Sequence, residues 1–168
     1  KNMISQEGEG HIIVMNGLDF ERAMIAPIAL GISERALELS IEYAKIREQF
    51  GKPISNFQMV QSKLANMYTS IQSMKALVYS VLAECDSSEK KQAGKGKIHM
   101  NTSASVMFAS TTTNKILDEA VQIHGGNGFV KEYHVERLMR DAKITQIYEG
   151  TSEVQRIVIS RAVLDEAS

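Results

Sequence analysis

The stretch Ile147-Tyr148-Glu149-Gly150-Thr151-Ser152-Glu153 puts a carboxylate just ahead of a helix start and next to a glycine that leaves room for a close-approaching substrate. In an apolar pocket the pKa of such an acid rises toward neutrality, where it can take a proton from carbon; on the surface the same acid complements the helix dipole. A second stretch, Gln122-Ile123-His124-Gly125-Gly126-Asn127-Gly128, strips side chains from the backbone at three glycines. Its bare amides suit a bulky ligand, and its glycines also suit a helix C-cap. The third, Arg47-Glu48-Gln49-Phe50-Gly51-Lys52-Pro53, offers a guanidinium fork for a phosphate and a ring for packing, while an Arg near a helix C-terminus also complements the macrodipole.

Other chemistry is excluded by spacing. There is no Gly-x-Gly-x-x-Gly after a strand and no phosphate loop, and Gly94-Lys95-Gly96-Lys97 reads as a turn or helix start. His11, His99, His124 and His134 contain no i,i+4 pair, so metal binding is not expected and ordinary surface or interface roles are expected for all four. The single Cys85 rules out a disulfide framework and any multi-cysteine metal site.

These stretches lie between helices. The positions Ile32, Ala36, Leu39, Tyr43, Ile46 and Phe50 step by three and four, which predicts a long first helix from Asn16 to about Phe50, bent or broken at Pro27. Gly51 and Pro53 stop it, and a turn follows. Phe57, Val60, Leu64, Met67, Ile71, Met74, Val78, Val81 and Cys85 then keep the same alternation, a seam that wants antiparallel helical neighbours. A polar turn at residues 86–91 precedes a third helix through Ile98, Thr102, Ser105, Ala109, Thr112, Ile116, Ala120 and Ile123. Small side chains on its inner face permit close approach, so it belongs in the middle of the bundle. A short amphipathic helix near His134 to Asp141, an irregular run from Ile144 to Gly150, and a last helix from about Thr151 to Leu164 complete the chain. Residues 1–14, with Gly8 and Gly10, read as a connector from a preceding domain, and residues 15–168 as an all-α, up-and-down four-helix bundle; no sheet is expected.

Composition agrees with this reading. Of 168 residues 43% are hydrophobic, enough for a core of ordinary domain size, and 19 Lys+Arg balance 20 Asp+Glu to a net charge of −1. That balance argues against nucleic acid and anionic membrane surfaces as partners, and no apolar run reaches the length of a spanning helix.

Taken in order, six motifs resemble the C-terminal domain of the acyl-CoA dehydrogenase family, flavoenzymes that desaturate acyl-CoA thioesters. They are Gly17-Leu18-Asp19-Phe20-Glu21-Arg22, Arg47-Glu48-Gln49-Phe50-Gly51, Phe57-Gln58, Gln122 to Phe129, Arg140-Asp141-Ala142-Lys143 and Ile147 to Glu153. The resemblance implies that Glu149 removes the α-proton of the thioester while the β-hydrogen leaves as hydride to the flavin of FAD. It also implies that the Glu149 N–H helps polarise the thioester carbonyl, with Tyr148 and Gly150 in the substrate site. Asp19, Phe20, Glu21 and Arg22 match the segment along the pantetheine of CoA. Arg47, Glu48, Gln49, Phe50, Phe57, Gln58, Gln122, Ile123, His124, Gly125 and Gly126 match positions that bind the ADP half of FAD, partly from a neighbouring subunit. Thr151, Ser152 and Glu153 match the remaining cofactor contact. Isovaleryl and long-chain relatives carry their base at the position of Glu21, so Glu21 is the alternative base. The acid at Glu149 is expected to face the groove where the three irregular stretches gather.

The family resemblance further implies a homotetramer, an electron-transfer flavoprotein as electron acceptor, and a cytoplasmic or mitochondrial-matrix location depending on the source. Family members have two further domains, so this polypeptide alone is expected to turn over no substrate. An acyl-CoA oxidase, which passes electrons to oxygen, and a non-catalytic helical oligomerisation module are the competing readings.

Overall fold

The computed structural model describes residues 3, 4, 6–87 and 94–166. Among these, α1 (Gly10–Ile46), α2 (Gln58–Asp86), α3 (Gly96–His124) and α5 (Ser152–Glu166) are the main helices, and α4 (Val135–Lys143) is a short fifth. The all-α bundle read from the periodicity is the architecture observed.

α3 is the central element, packing against all four other helices. Its buried face of Thr102, Ser105, Ala109, Thr113 and Ala120 meets an α1 face that is also small: Ala26, Ala29, Ser33, Ala36 and Ser40. Little side-chain volume separates the two axes, which is why these helices share the core. Hydroxyls in that seam are satisfied locally. Ser33 Oγ and Thr113 Oγ1 donate to the Ala29 carbonyl at 2.9 and 3.0 Å, each bond being worth about 1 kcal/mol. α2 closes the other side with Met67, Ile71, Met74, Val78 and Val81, all buried and all on the predicted seam. Burial of each stabilises by roughly 2 kcal/mol.

The structure departs from the sequence reading in several places. α1 begins at Gly10 rather than Asn16, after a turn at Gly8 (φ 92), and it runs through Pro27 without a break. Packing explains the tolerance, because Ala26, Ala29 and Leu30 around the proline are buried against the core. At the other end Ile46 and Phe50 do not continue the buried face; they are 77% and 92% exposed. The helix stops because Arg47 turns extended, and the chain enters a two-residue ladder where no sheet was expected. Strand β1 (Glu48–Gln49) pairs antiparallel with β2 (Lys52–Pro53), with Gln49 opposite Lys52. Phe50 and Gly51 have φ of 53° and 77°, and positive φ at both central residues is what a type I′ hairpin turn requires. On α3, Thr113 is buried and Thr112 is only half-buried. Residues 88–91 of the polar turn, and Lys1, Asn2 and Ser5 of the expected connector, lie outside the described residues.

Candidate functional site

Ahead of α5 the chain makes a 3-10 turn at Ile144–Gln146 and then reverses through Glu149 and Gly150, with φ of 54° and 96°. A non-glycine residue in the left-handed region costs of order 1–3 kcal/mol, so Glu149 must be held there by its surroundings. Two donors hold it. Arg22 Nε donates to the Glu149 carbonyl at 3.1 Å, and Gln155 Nε2 donates to the Glu149 and Gly150 carbonyls, both at 3.0 Å. A Cβ on Gly150 would lie 3.0 Å from Gln155 Nε2 and 3.5 Å from Arg22 Nη2, so this position needs glycine for space as well as for φ.

The turn brings the two acids of the sequence reading together. The Glu149 carboxyl comes beside that of Glu21 on α1, and ionising Glu149 next to that acid is unfavourable. Hydrogen bonding to Glu21, partial burial and the charge of Glu21 push Glu149 above the ordinary carboxylate value of 4.5, and the nearby Arg22 only partly opposes them. Burial and the charge of Glu149 also push the Tyr148 phenol up. Beneath the pair Arg22 is itself buried, which lowers its pKa, while Asp19, Glu149 and Glu21 favour its charge. Phe20 beside them is exposed, and Asp19 is buried.

A second constellation forms at the far end of α1. Arg47, Gln49, His124, Gly125, Gly126 and Asn127 line a groove of about 340 Å³. His124 Nδ1 donates to the Ala120 carbonyl at 2.8 Å, and burial holds the ring below its ordinary value of 6.5. The imidazole is therefore neutral near pH 7, with Nε2 as an acceptor. It stacks on Tyr43 with centroids 4.3 Å apart, and Tyr133 meets both rings edge-on. Asn127 Nδ2 ties the box together by donating to the Tyr43 and Tyr133 hydroxyls at 3.0 and 3.3 Å. Gly125 and Gly126 face open space, whereas a Cβ on Gly128 would lie 2.6 Å from the Val121 carbonyl oxygen. The first two glycines thus expose backbone, and the third is required by packing. Phe50 stands on the hairpin tip, edge-on to the half-buried Phe57 at 6.1 Å, and Lys52 lies 4.6 Å over the Phe57 ring. Ile123 is buried, while Glu48, Gln58 and Gln122 are exposed.

Thr151, Ser152 and Glu153 line a smaller cavity of about 220 Å³ with the cations Lys143 and Arg156. Ser152 Oγ is buried there without a hydrogen-bond partner. The three irregular stretches therefore do not gather in one groove. α1 separates them: the 24 steps from Arg22 to Ile46 span about 36 Å at 1.5 Å per step.

Sequence reading missed two residues of the Glu149 turn. Gln155 and His99 are buried polar side chains that reach it from α5 and α3, directly or through Arg22. His99 acquires its partners, 77 and 80 residues away, only through packing, and Gln155 reaches carbonyls five and six residues back only because the turn folds over the start of α5. Among the described residues, no group of three or more His, Cys, Asp or Glu side chains could hold a metal ion, and no helix is long and apolar enough to cross a membrane.

Comparison with known proteins follows the same lines. A family model described as acyl-CoA dehydrogenase, C-terminal domain, matches residues 8–164. Mitochondrial isovaleryl-CoA dehydrogenase of Oryza sativa subsp. japonica is 41% identical over 167 residues, 99% of this chain and 39% of the relative. The structure of butyryl-CoA dehydrogenase from Megasphaera elsdenii superposes with a TM-score of 0.87 at 46% identity, covering 97% of this chain and 41% of that one. An acyl-CoA dehydrogenase from Bacillus anthracis, solved as a complex with FAD, gives 0.85 at 34% identity, covering 95% and 30%. The chain spans about two fifths of the length of the curated relatives it matches. Both the family match and the identities lead to one conclusion: the chain belongs to the acyl-CoA dehydrogenase family and corresponds to its C-terminal helical domain.

Proposed function

We propose that this domain, working within a protein of its relatives' length, serves the FAD-dependent α,β-desaturation of an acyl-CoA thioester, with Glu149 as the base. The observation that carries the reading is the Glu149 turn, tied by Arg22 and Gln155 so that the Glu149 carboxyl stands beside Glu21, which raises its pKa. An acid with raised proton affinity is a stronger base for a carbon acid once it is ionised. Glu21 is the backup base and shapes the pocket. Phe20, Tyr148 and Gly150 border the substrate, with Asp19 and Arg22 beneath them.

The residues present fit FAD. A neutral acceptor at His124, the Arg47 fork and the open glycine backbone suit a pyrophosphate and an adenine, and the cavity lined by Thr151, Lys143 and Arg156 suits a further polar contact. Arg47, Glu48, Gln49, Phe50, Phe57, Gln58 and the run Gln122 to Gly126 would hold the ADP half, and Thr151, Ser152 and Glu153 the remainder. Bound FAD supplies the two-electron oxidant. About 36 Å of α1 lies between Glu149 and the Arg47 groove, which supports a site completed by a second copy, as in a homotetramer. The acceptor is an electron-transfer flavoprotein, and the compartment is the cytoplasm of a bacterium or the matrix of a mitochondrion.

The test is Glu149→Gln in the full-length protein. It is expected to keep bound flavin and to lose anaerobic flavin reduction by butyryl- or isovaleryl-CoA; an unchanged reduction rate would move the base to Glu21. Peroxide release in air would instead assign oxygen as the acceptor.

A further inference from the structure

Beneath the Glu149 turn lies a buried polar cluster in which Asp19 and Arg22 of α1 meet His99 of α3. Asp19, Arg22 and His99 are 6%, 4% and 7% exposed. His99 Nδ1 lies 2.5 Å from Asp19 Oδ1 and 3.3 Å from Arg22 Nη1. A carboxylate only accepts and a guanidinium only donates, so one ring nitrogen cannot bond both. The shorter contact decides the proton. Nδ1–H donates to Asp19, and that bond fixes the tautomer and the ring plane.

The remaining contacts run outward from this bond. Asp19 Oδ1 also faces Arg22 Nη1 at 3.6 Å, which supplies the counter-charge that a buried guanidinium needs. Arg22 is then oriented so that its other edge, through Nε, donates to the Glu149 carbonyl at 3.1 Å. Glu149 is the residue of that turn with a strained φ, so a small shift of Arg22 re-aims its carboxyl. α3 thus reaches the base through two side chains of α1.

We propose that His99 is a positioning residue for proton removal: by holding Asp19 against Arg22 it fixes the Glu149 carbonyl and, with it, the direction of the Glu149 carboxyl. The inference rests on Glu149 being the base. Its mechanism is geometric, since a misplacement of about 1 Å in a proton-transfer arrangement can cost about a hundredfold in rate.

Two substitutions of similar polarity separate positioning from simple filling of space. In His99→Asn the side-chain amide nitrogen sits where Nδ1 does, one bond beyond Cγ, and can donate to Asp19. In His99→Gln the amide nitrogen lies one bond further out and misses it. In the full-length FAD-loaded protein, with rates normalised to bound flavin, His99→Gln is expected to slow flavin reduction by butyryl- or isovaleryl-CoA about ten- to a hundredfold, with KM within about threefold. His99→Asn is expected to stay within about threefold of the parent. Equal rates in the two variants, whether both fast or both slow, would overturn the proposal, as would a loss confined to KM. Glu149→Gln measured alongside keeps the two ideas apart: if it reduces flavin at the parent rate, the base has been misassigned and His99 has no base to position.

Discussion

The guanidinium of Arg22 donates from Nε to the carbonyl oxygen of Glu149 at 3.1 Å, across 127 residues of sequence. That carbonyl takes a second hydrogen bond from Gln155, so α1 and α5 both pull on one peptide group. The strained backbone at Glu149 persists because these two donors over-determine it.

Gln155→Leu tests that tether. It removes the donor that the Gly150 carbonyl shares with Glu149, and a half-buried carbonyl left unpaired costs about 1–3 kcal/mol. Urea unfolding of the variant is expected to show a loss in that range. No loss would mean that Arg22 alone holds the turn.

The pair Glu21 and Glu149 makes stability depend on pH. Glu149 in the folded protein binds its proton more tightly than the ordinary value of 4.5, first through the Glu21 hydrogen bond and then through partial burial. The folded state therefore holds more protons than the unfolded one as pH rises above 4.5, and stability is lost through that window up to the raised value. Thermal melts of Glu149→Gln should gain on the parent near neutral pH, and the difference should close as pH falls toward 4.5. Glu21→Gln should move the acid limb of activity to lower pH.

His124 makes the opposite contribution. Burial keeps it neutral below its ordinary value of 6.5, with the bond to Ala120 opposing weakly. Its contribution is complete above 6.5 and declines as pH falls from 6.5 toward the lowered folded value, because the unfolded chain takes up the proton first. A ring-proton NMR titration should give a midpoint below 6.5 for His124, and His124→Phe, which keeps the stack on Tyr43, should flatten the acid side of the stability curve.

The glycines of the Gln122 to Gly128 stretch should divide by function. A methyl group at Gly128 would lie 2.6 Å from the Val121 carbonyl oxygen, so Gly128→Ala is expected to destabilise by about 1–3 kcal/mol. A Cβ on Gly126 would meet nothing within 4 Å, so Gly126→Ala should leave unfolding within about 0.5 kcal/mol of the parent. In the full-length protein Gly126→Ala is expected to weaken FAD retention, which flavin release on dilution would measure. Equal effects of the two substitutions on stability would contradict the division.

The sequence by itself determined the helices and their inward faces where no competing demand intervened. Met67, Ile71, Met74, Val78 and Val81 are buried as their spacing requires, and the small residues of α3 put it in the middle. Gly51 and Gly125 mark the reversals, and Glu149 was legible as an acid beside a glycine and a helix start. Such features are local: a side chain three or four positions away, or a backbone angle open to glycine, is enough to produce them. Only the tertiary structure decided which polar groups meet. His99 and Asp19 are 80 residues apart, and their bond exists because α3 packs on α1 at that level. It also decided that the Arg47 groove at the end of α1 lies about 36 Å along that helix from Arg22, which holds the Glu149 turn, whereas the sequence alone suggests one shared groove. Periodicity fixes which side of a helix turns inward, but the height at which two helices face each other follows from how the whole core fills its volume.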